Sequence, residues 1–269
     1  MKVKNKQFVV TGAGGGIGGA LVLALLKKGA KVVAVDVRID NLKLLEQRAS
    51  EYNDSLNINE LDITKKEAVQ HFANQSVKEY GDIDGLINCA GVIQPFVRVQ
   101  DLNYSEIDKV MNINFFGMLY MTKSFLPILL KRPEAHIANI SSMGGFLPVP
   151  GQSIYGASKA AVKLMSEGLY AELVDTNVRV SVIFPGATNT KITENSHVSA
   201  PSISSDDMKK MSKSMNSPEA AAETIIKGME ANKLQIFTGN DSRLMNVLYR
   251  LNSRFATNFI AKQMKSLLK

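Results

Sequence analysis

Residues 7–26 form twenty consecutive positions without a charged side chain, and Gly12, Gly14, Gly15, Gly16, Gly18 and Gly19 fall inside them. Lys2, Lys4 and Lys6 precede the run, so by charge count it resembles a signal peptide or a spanning helix. That much glycine makes a poor continuous helix. The run reads instead as a short buried strand from Gln7 to Thr11, a glycine turn, and a helix from about Ile17 to Lys28. No other apolar run is long enough to span a bilayer.

Further short apolar runs recur at 31–35, 56–60, 85–88, 136–140, 179–183 and 235–237, separated by helix-length stretches. Several are rich in Val and Ile, as strands buried on both faces are. The pattern predicts an α/β fold: a single doubly wound Rossmann domain of seven parallel strands flanked by helices. With 269 residues, 45% apolar and 21% charged, the chain supports such a core without disulfide or metal staples. Its one cysteine, Cys89, has no partner for a disulfide and no metal-ligand spacing, which fits a reducing, cytoplasmic setting and no bound metal. A helical pattern runs from Ser105 towards Leu130, with Pro127 bending or ending it. Ser217, Pro218 and Glu219 read as cap, first-turn proline and first-turn acid. Between them, 189–216 is a long polar stretch with scattered Met, read as a substrate loop.

The glycine turn follows a strand and opens a helix, where bare backbone can approach a pyrophosphate and free N–H groups can bind it. Gly14, Gly16 and Gly19 satisfy G-x-G-x-x-G; Gly12, Gly16 and Gly18 satisfy T-G-x-x-x-G-x-G. A strand ending at Thr11 favours the second. Asp36 ends the second strand, where a carboxylate can bind both ribose hydroxyls of an adenosine and repels a 2′-phosphate. That favours NAD; Arg38, two residues on, keeps NADP as an alternative.

Tyr155 and Lys159 stand at i and i+4, on one helix face. A nearby cation lowers a phenol's pKa, which makes such a pair a candidate general acid/base. Asn139-Ile140-Ser141-Ser142 ends a strand before it. With these pieces in place, the chain resembles the short-chain dehydrogenase/reductase family. The matching segments are the T-G-x-x-x-G-x-G turn, Asp36, Asp62-Ile63, Asn88-Cys89-Ala90-Gly91, Asn114-Phe115-Phe116-Gly117, Ile140-Ser141-Ser142, Tyr155-x-x-x-Lys159 and Pro185-Gly186, in family order over 7–190.

The resemblance implies roles for individual residues. Ser142, 13 residues before Tyr155, holds the substrate oxygen. Tyr155 moves the proton, and Lys159 binds the nicotinamide ribose and tunes Tyr155. Asn114 holds a water linking the lysine to solvent. The cofactor is held by Gly12, Gly15, Gly16, Ile17 and Gly18, by Asp36, by Asp62 and Ile63 beside adenine, by Asn88, Ala90 and Gly91, and by Tyr155 and Lys159 themselves. Pro185, Gly186, Thr188 and Thr190 meet the nicotinamide carboxamide, with Thr188 replacing the family's usual valine. Cys89 replaces the commoner second asparagine and reads as a small buried side chain.

The function so implied is hydride transfer between NAD(H) and a secondary alcohol/ketone pair. An NADP-dependent carbonyl reductase and a non-catalytic NAD-binding scaffold or sensor are the alternatives. Phe96, Val97, Met143, Phe146 and Leu147 suggest a partly apolar substrate pocket, or serve as packing. His71, His136 and His197 lack metal-ligand spacing and read as surface or loop residues. The family also implies homodimers or homotetramers.

The formal charge is +7, but 241–269 carries six Lys/Arg against one acid, whereas 1–240 carries 26 against 24. The first 240 residues read as the NAD-binding catalytic domain and 241–269 as a basic amphipathic tail. Leu244, Leu248, Leu251, Phe255 and Phe259 form one apolar seam; past a break after Phe259, Ile260, Met264, Leu267 and Leu268 form a second. Such a tail packs on its own fold or a partner subunit, or makes peripheral contact with an anionic membrane surface. Without reader motifs among the basic residues, no nucleic-acid partner is expected.

Overall fold

The structure, a computed structural model, describes residues 1–198 and 215–264. All seven expected strands form: β1 (Gln7–Thr11), β2 (Lys31–Asp36), β3 (Leu56–Glu60), β4 (Gly85–Asn88), β5 (Ala135–Ile140), β6 (Val178–Pro185) and β7 (Gln235–Thr238). They make one sheet in the order β3-β2-β1-β4-β5-β6-β7. Every neighbouring pair is parallel. The order reverses between β1 and β4, the place where doubly wound sheets open a crevice.

The helices are α1 (Gly16–Lys27), α2 (Ile39–Arg48), α3 (Lys66–Tyr80), α4 (Tyr104–Met111), α5 (Met118–Leu129), α6 (Ser153–Glu172), α7 (Ile192–Asn195), α8 (Pro218–Glu230), α9 (Asn240–Leu251) and α10 (Ser253–Gln263). One sheet face packs Phe8, Val10, Val32 and Ile87 against Leu21 and Leu25 of α1, Leu42 of α2 and Ile225 of α8. The other packs Val9, Val33, Leu86 and Ile137 against Val69 of α3, Phe125 of α5 and Leu169 of α6. Alternate residues of each strand therefore feed two cores, which is why the strands read as continuous apolar runs. Gly85 stands opposite Phe8 in the ladder, and a Cβ there would run into the Phe8 ring.

The helical pattern after Ser105 is interrupted. A π-helical stretch, Asn112–Gly117, joins α4 to α5, and Pro127 lies in the last turn of α5. Ser217 caps α8 by accepting from the Ala220 N–H at 3.1 Å, with Pro218 in the first turn, as the sequence predicts. Residues 199–214, most of the expected substrate loop, lie outside the described residues, as do 265–269 with Leu267 and Leu268.

The tail differs from its sequence reading. The break comes at Asn252, whose extended backbone separates α9 from α10 and whose side chain accepts from the Phe255 N–H at 2.9 Å. The inward face is Met245, Leu248, Tyr249, Ala256, Ile260 and Met264, packed with Met143, Phe146 and Leu147. Of the expected first seam only Leu248 joins that face; Leu244, Leu251, Phe255 and Phe259 are exposed. Leu244 and Leu251 lie in the same unbroken helix as Met245 and Tyr249 but on another face, so the apolar stripe read from the sequence is real and is not the one that packs.

His136 also departs from its surface assignment. It lies in β5 and is fully buried. Ser181 Oγ gives its proton to the Lys233 carbonyl at 2.6 Å, so His136 Nε2–H donates to Ser181 at 2.9 Å. Burial pushes the imidazole down to about 3. The folded value lies below the unfolded one, near 6.5, so stability falls as pH drops from about 6.5 towards 3. At pH 5 the unfolded chain gains about 2 kcal/mol from this group alone. Urea unfolding at pH 7 and pH 5 checks it: His136→Asn should lose about 2 kcal/mol less than the wild type on acidification.

Candidate active site

Eight chain segments converge at the C-terminal edge of the sheet around a cleft of about 730 Å³. The first wall is the glycine turn. Gly12 has φ 67°, the left-handed region that favours glycine, and α1 starts at Gly16. The turn thus begins at Gly12, as the T-G-x-x-x-G-x-G reading requires. A Cβ on Gly12 would sit 2.7 Å from the Ala90 backbone, and one on Gly16 would sit 2.7 Å from the Thr190 methyl. Thr11 Oγ1 accepts from the N–H groups of Cys89 and Ala90 at 3.1 and 3.2 Å, holding the β1 and β4 ends together.

Asp36 closes the next strand. Its carboxylate accepts from Gly14 N–H and Arg38 N–H, both at 3.0 Å, and faces the cleft. A carboxylate has room for further donors beyond these two. With the Asn41 amide oriented by its neighbours, its oxygen accepts from Arg38 Nε and Nη2 at 3.1 Å. Asp62 and Ile63 line the same end, Asp62 Oδ1 accepting from the Thr64 hydroxyl and N–H at 2.6 and 2.9 Å.

Ser141 and Ser142 separate cleanly. Ser141 is buried and donates to the Lys159 carbonyl at 2.7 Å. Ser142 accepts from Gly144 N–H at 3.0 Å and keeps its own proton for the cleft. Tyr155 and Lys159 share the inner face of α6 and line the cleft with it. Gly91 makes the fit possible, since a Cβ there would lie 3.1 Å from Lys159 Nζ and 3.2 Å from Asn114 Oδ1.

Lys159 Nζ donates to the Ile140 carbonyl at 2.9 Å. Burial pushes the phenol above its ordinary value, and the nearby Ser142 hydroxyl only partly opposes that. Burial brings the Lys159 ammonium down to about 8, with Cys89 pulling the other way. The Cys89 thiol is itself pushed up to about 12 by burial, despite the lysine, and stays a neutral packing group.

Two residues expected at the cofactor or in catalysis stand behind the cleft. Asn88 is buried and donates to Thr122 Oγ1 at 3.0 Å and Asn139 Oδ1 at 2.8 Å. Asn114, in the π-helical stretch, accepts from Val92 N–H at 2.8 Å and donates to Val92 O at 2.9 Å and Ser158 Oγ at 3.0 Å. Its amide pins Val92, in the loop after β4, to α6. Gly12, Gly15, Gly16, Ile17, Gly18, Ala90, Gly91, Pro185, Gly186, Thr188 and Thr190 all line the cleft.

Phe146 and Leu147 pack under the tail, Phe146 edge-on to Phe184 at 5.5 Å. Val92, Ile93, Ile113 and Ile192 add apolar surface to the cleft, joined by Asn195 and His197. Three contributors carry no motif. Gln94, fully buried, accepts through Oε1 from the N–H groups of Ile154 and Tyr155 at 2.8 and 3.0 Å. It caps α6 from another segment, where the helix's own Gln152 makes no side-chain cap. Asp241 in α9 accepts from Ala187 N–H at 2.8 Å, and a Cβ on Gly186 would strike its carboxylate. Ser196 accepts from Ile93 N–H at 3.0 Å and so pins the segment after α7.

The family model for short chain dehydrogenases matches residues 6–200. A Mycobacterium tuberculosis protein named as an oxidoreductase, SadH, is 32% identical over 256 residues, 92% of this chain and 91% of its own. A Staphylococcus aureus protein named as an uncharacterized oxidoreductase is 37% identical over 70% of this chain and 80% of its own. The crystal structure of a short-chain dehydrogenase from Burkholderia cenocepacia in complex with NADP has a TM-score of 0.80 at 26% identity, covering 97% of this chain and 99% of that one. A Burkholderia phymatum member in complex with NAD shares the fold at TM-score 0.82 and 24% identity, over 93% and 96% of the two chains.

Gln94 gives a direct test of how the site is held. Gln94→Leu leaves two helix N–H groups buried without an acceptor and should cost about 2 kcal/mol in urea unfolding. Gln94→Glu keeps the acceptor at a helix N-terminus and should recover most of that loss.

Proposed function

This chain belongs to the short-chain dehydrogenase/reductase family, and on that premise we propose that it uses NAD to interconvert a secondary alcohol and its ketone on a partly apolar substrate. The observation that carries the reading is the meeting of Ser142, Tyr155 and Lys159 in one cleft with the bare turn at Gly12 and Gly16. The residues fit a dinucleotide. The turn leaves space that any side chain would fill, α1 presents its N-terminus to it, and Asp36 offers a carboxylate for ribose hydroxyls.

A bound nicotinamide dinucleotide supplies the hydride acceptor or donor. Ser142 Oγ donates to the substrate oxygen and orients it. Tyr155 Oη gives its proton to that oxygen in reduction and receives it in oxidation. Burial keeps the phenol protonated before substrate arrives, ready to act as an acid. Lys159, brought down to about 8, is charged in most molecules at neutral pH and can stabilise a phenolate once one forms. Asn114 and Gln94 are positioning residues. Asp62 and Ile63 would flank the adenine of a bound dinucleotide, and Thr188 and Thr190 would meet its carboxamide. Ile93, Ile113 and Ile192 give the substrate its apolar surroundings.

Asp36 favours NAD, since a 2′-phosphate would meet a carboxylate already fixed by two N–H groups. Assembly into homodimers or homotetramers belongs to the same proposal, supported by exposed Phe116 and Leu164 on neighbouring helical segments. Light scattering measures it.

An NAD-coupled screen of secondary alcohols graded by size tests the activity; a protein that binds NAD and turns over no member is a scaffold. Tyr155→Phe should keep NAD affinity within twofold by fluorescence titration and lower turnover by about 10²–10⁴. Asp36→Asn should reduce the preference for NAD over NADP by about tenfold, read from titration with both cofactors.

A further inference from the structure

We propose that the outward face of α9 and α10 docks on an anionic lipid surface. The two helices bury one side only, through Met245, Ala256 and Ile260 against Leu147. The opposite side carries Leu244, Val247, Leu251, Phe255 and Phe259, with Leu251 79% and Phe255 57% exposed. Phe255 and Phe259 stack on each other at 6.4 Å and 19°, so the apolar surface is continuous along α10. An unpartnered apolar stripe of this kind marks an interaction site more often than an idle surface.

The charges beside the stripe choose the occupant. Arg243, Arg250, Arg254 and Lys262 are all exposed on the same two helices. None of them forms a salt bridge among the described residues. Among the described residues, Arg250 reaches the Gln235 amide oxygen at 3.4 Å. At 100° per residue, Arg243 and Arg250 run along one edge of the Leu244–Val247–Leu251 stripe. The one acid in the described part of the tail, Asp241, is committed to Ala187 N–H.

A second copy is the poorer occupant. Two copies related by a two-fold axis would lay the same apolar stripe together and bring like cations across a shared face. Anionic headgroups complement those cations while the acyl boundary takes the leucines and phenylalanines. With 12 and 11 residues, the helices are about 18 and 16 Å long, too short to cross a bilayer and suited to lying in its surface. No helix among the described residues is long and apolar enough to span.

Flotation of the full chain with phosphatidylcholine vesicles, with and without phosphatidylglycerol, tests the proposal. The wild type should float only with phosphatidylglycerol and come off at high salt. Leu251→Ser, Phe255→Ser and Phe259→Ser together should weaken vesicle binding at least tenfold, with circular dichroism and turnover unchanged. Arg243→Gln, Arg250→Gln and Arg254→Gln should each weaken it by about fivefold. Absence of wild-type binding, or equal binding by the triple serine variant, overturns the proposal. So does a serine variant whose only change is a smaller assembly by light scattering, which would make the face an interface between copies.

Discussion

Ser141 gives its hydroxyl proton to the carbonyl of Lys159, and the Lys159 side chain reaches back to the carbonyl of Ile140, at 2.7 and 2.9 Å. This two-way clasp fastens α6 to the end of β5 from both sides. Gly145 keeps the clasp tight, because a Cβ there would fall 2.6 Å from Ser141 Oγ and 2.8 Å from the Lys159 carbonyl. The clasp sets how far Tyr155 stands from Ser142, and it is buried, so neither hydrogen bond competes with water. Everything the cleft offers a substrate oxygen depends on that spacing.

Behind the clasp lies a second polar layer made of amides and hydroxyls. Asn88 donates to Asn139, and Asn139 donates to Ser166 at 2.9 Å, crossing from β4 through β5 to α6. Asn114 joins Val92, in the loop after β4, to α6 in the same way. An amide presents two donors and an acceptor in one plane, which lets a single side chain fix three directions at once. Most members of the layer are satisfied, and it places α6 without adding charge near the phenol.

Most of the fold was legible in the sequence, because it follows from period and punctuation. Strands buried on both faces must be apolar throughout, and the turn at Gly12 must be glycine. Ser142, Tyr155, Lys159 and Asp36 were legible because their chemistry needs those residue types at the ends of strands or on one helix face. Gln94 was not, since a cap supplied from 60 residues away leaves no local pattern. Asp241 was hidden for the same reason: its partner at Ala187 is 54 residues distant. His136 sits in a strand whose neighbours are apolar, but its burial depends on Ser181, a partner on another strand. The tail seam failed differently. A wheel shows that Leu244 and Leu251 share a face, but not which face finds a partner, and it is Met245 and Tyr249 of the same helix that meet Leu147 and Phe146. The phenol's acidity, too, depends on burial and on where the lysine turns, and neither is a property of spacing.

The clamp of Asp241 on the Pro185–Gly186 segment ties the order of synthesis to the order of assembly. Ser242 adds a second fastening, donating to the Phe184 carbonyl at 2.9 Å. A growing polypeptide has made β1 through β6, with the glycine turn, Ser142, Tyr155 and Lys159, well before residue 241 leaves the ribosome. The Pro185–Gly186 floor of the cleft is therefore fastened by residues made after the rest of it. The first of the final helices fastens that floor, and the pair carries the outward stripe. A chain that stops before Asp241 lacks both fastenings of the cleft floor, whereas the residues that make them all precede Arg243.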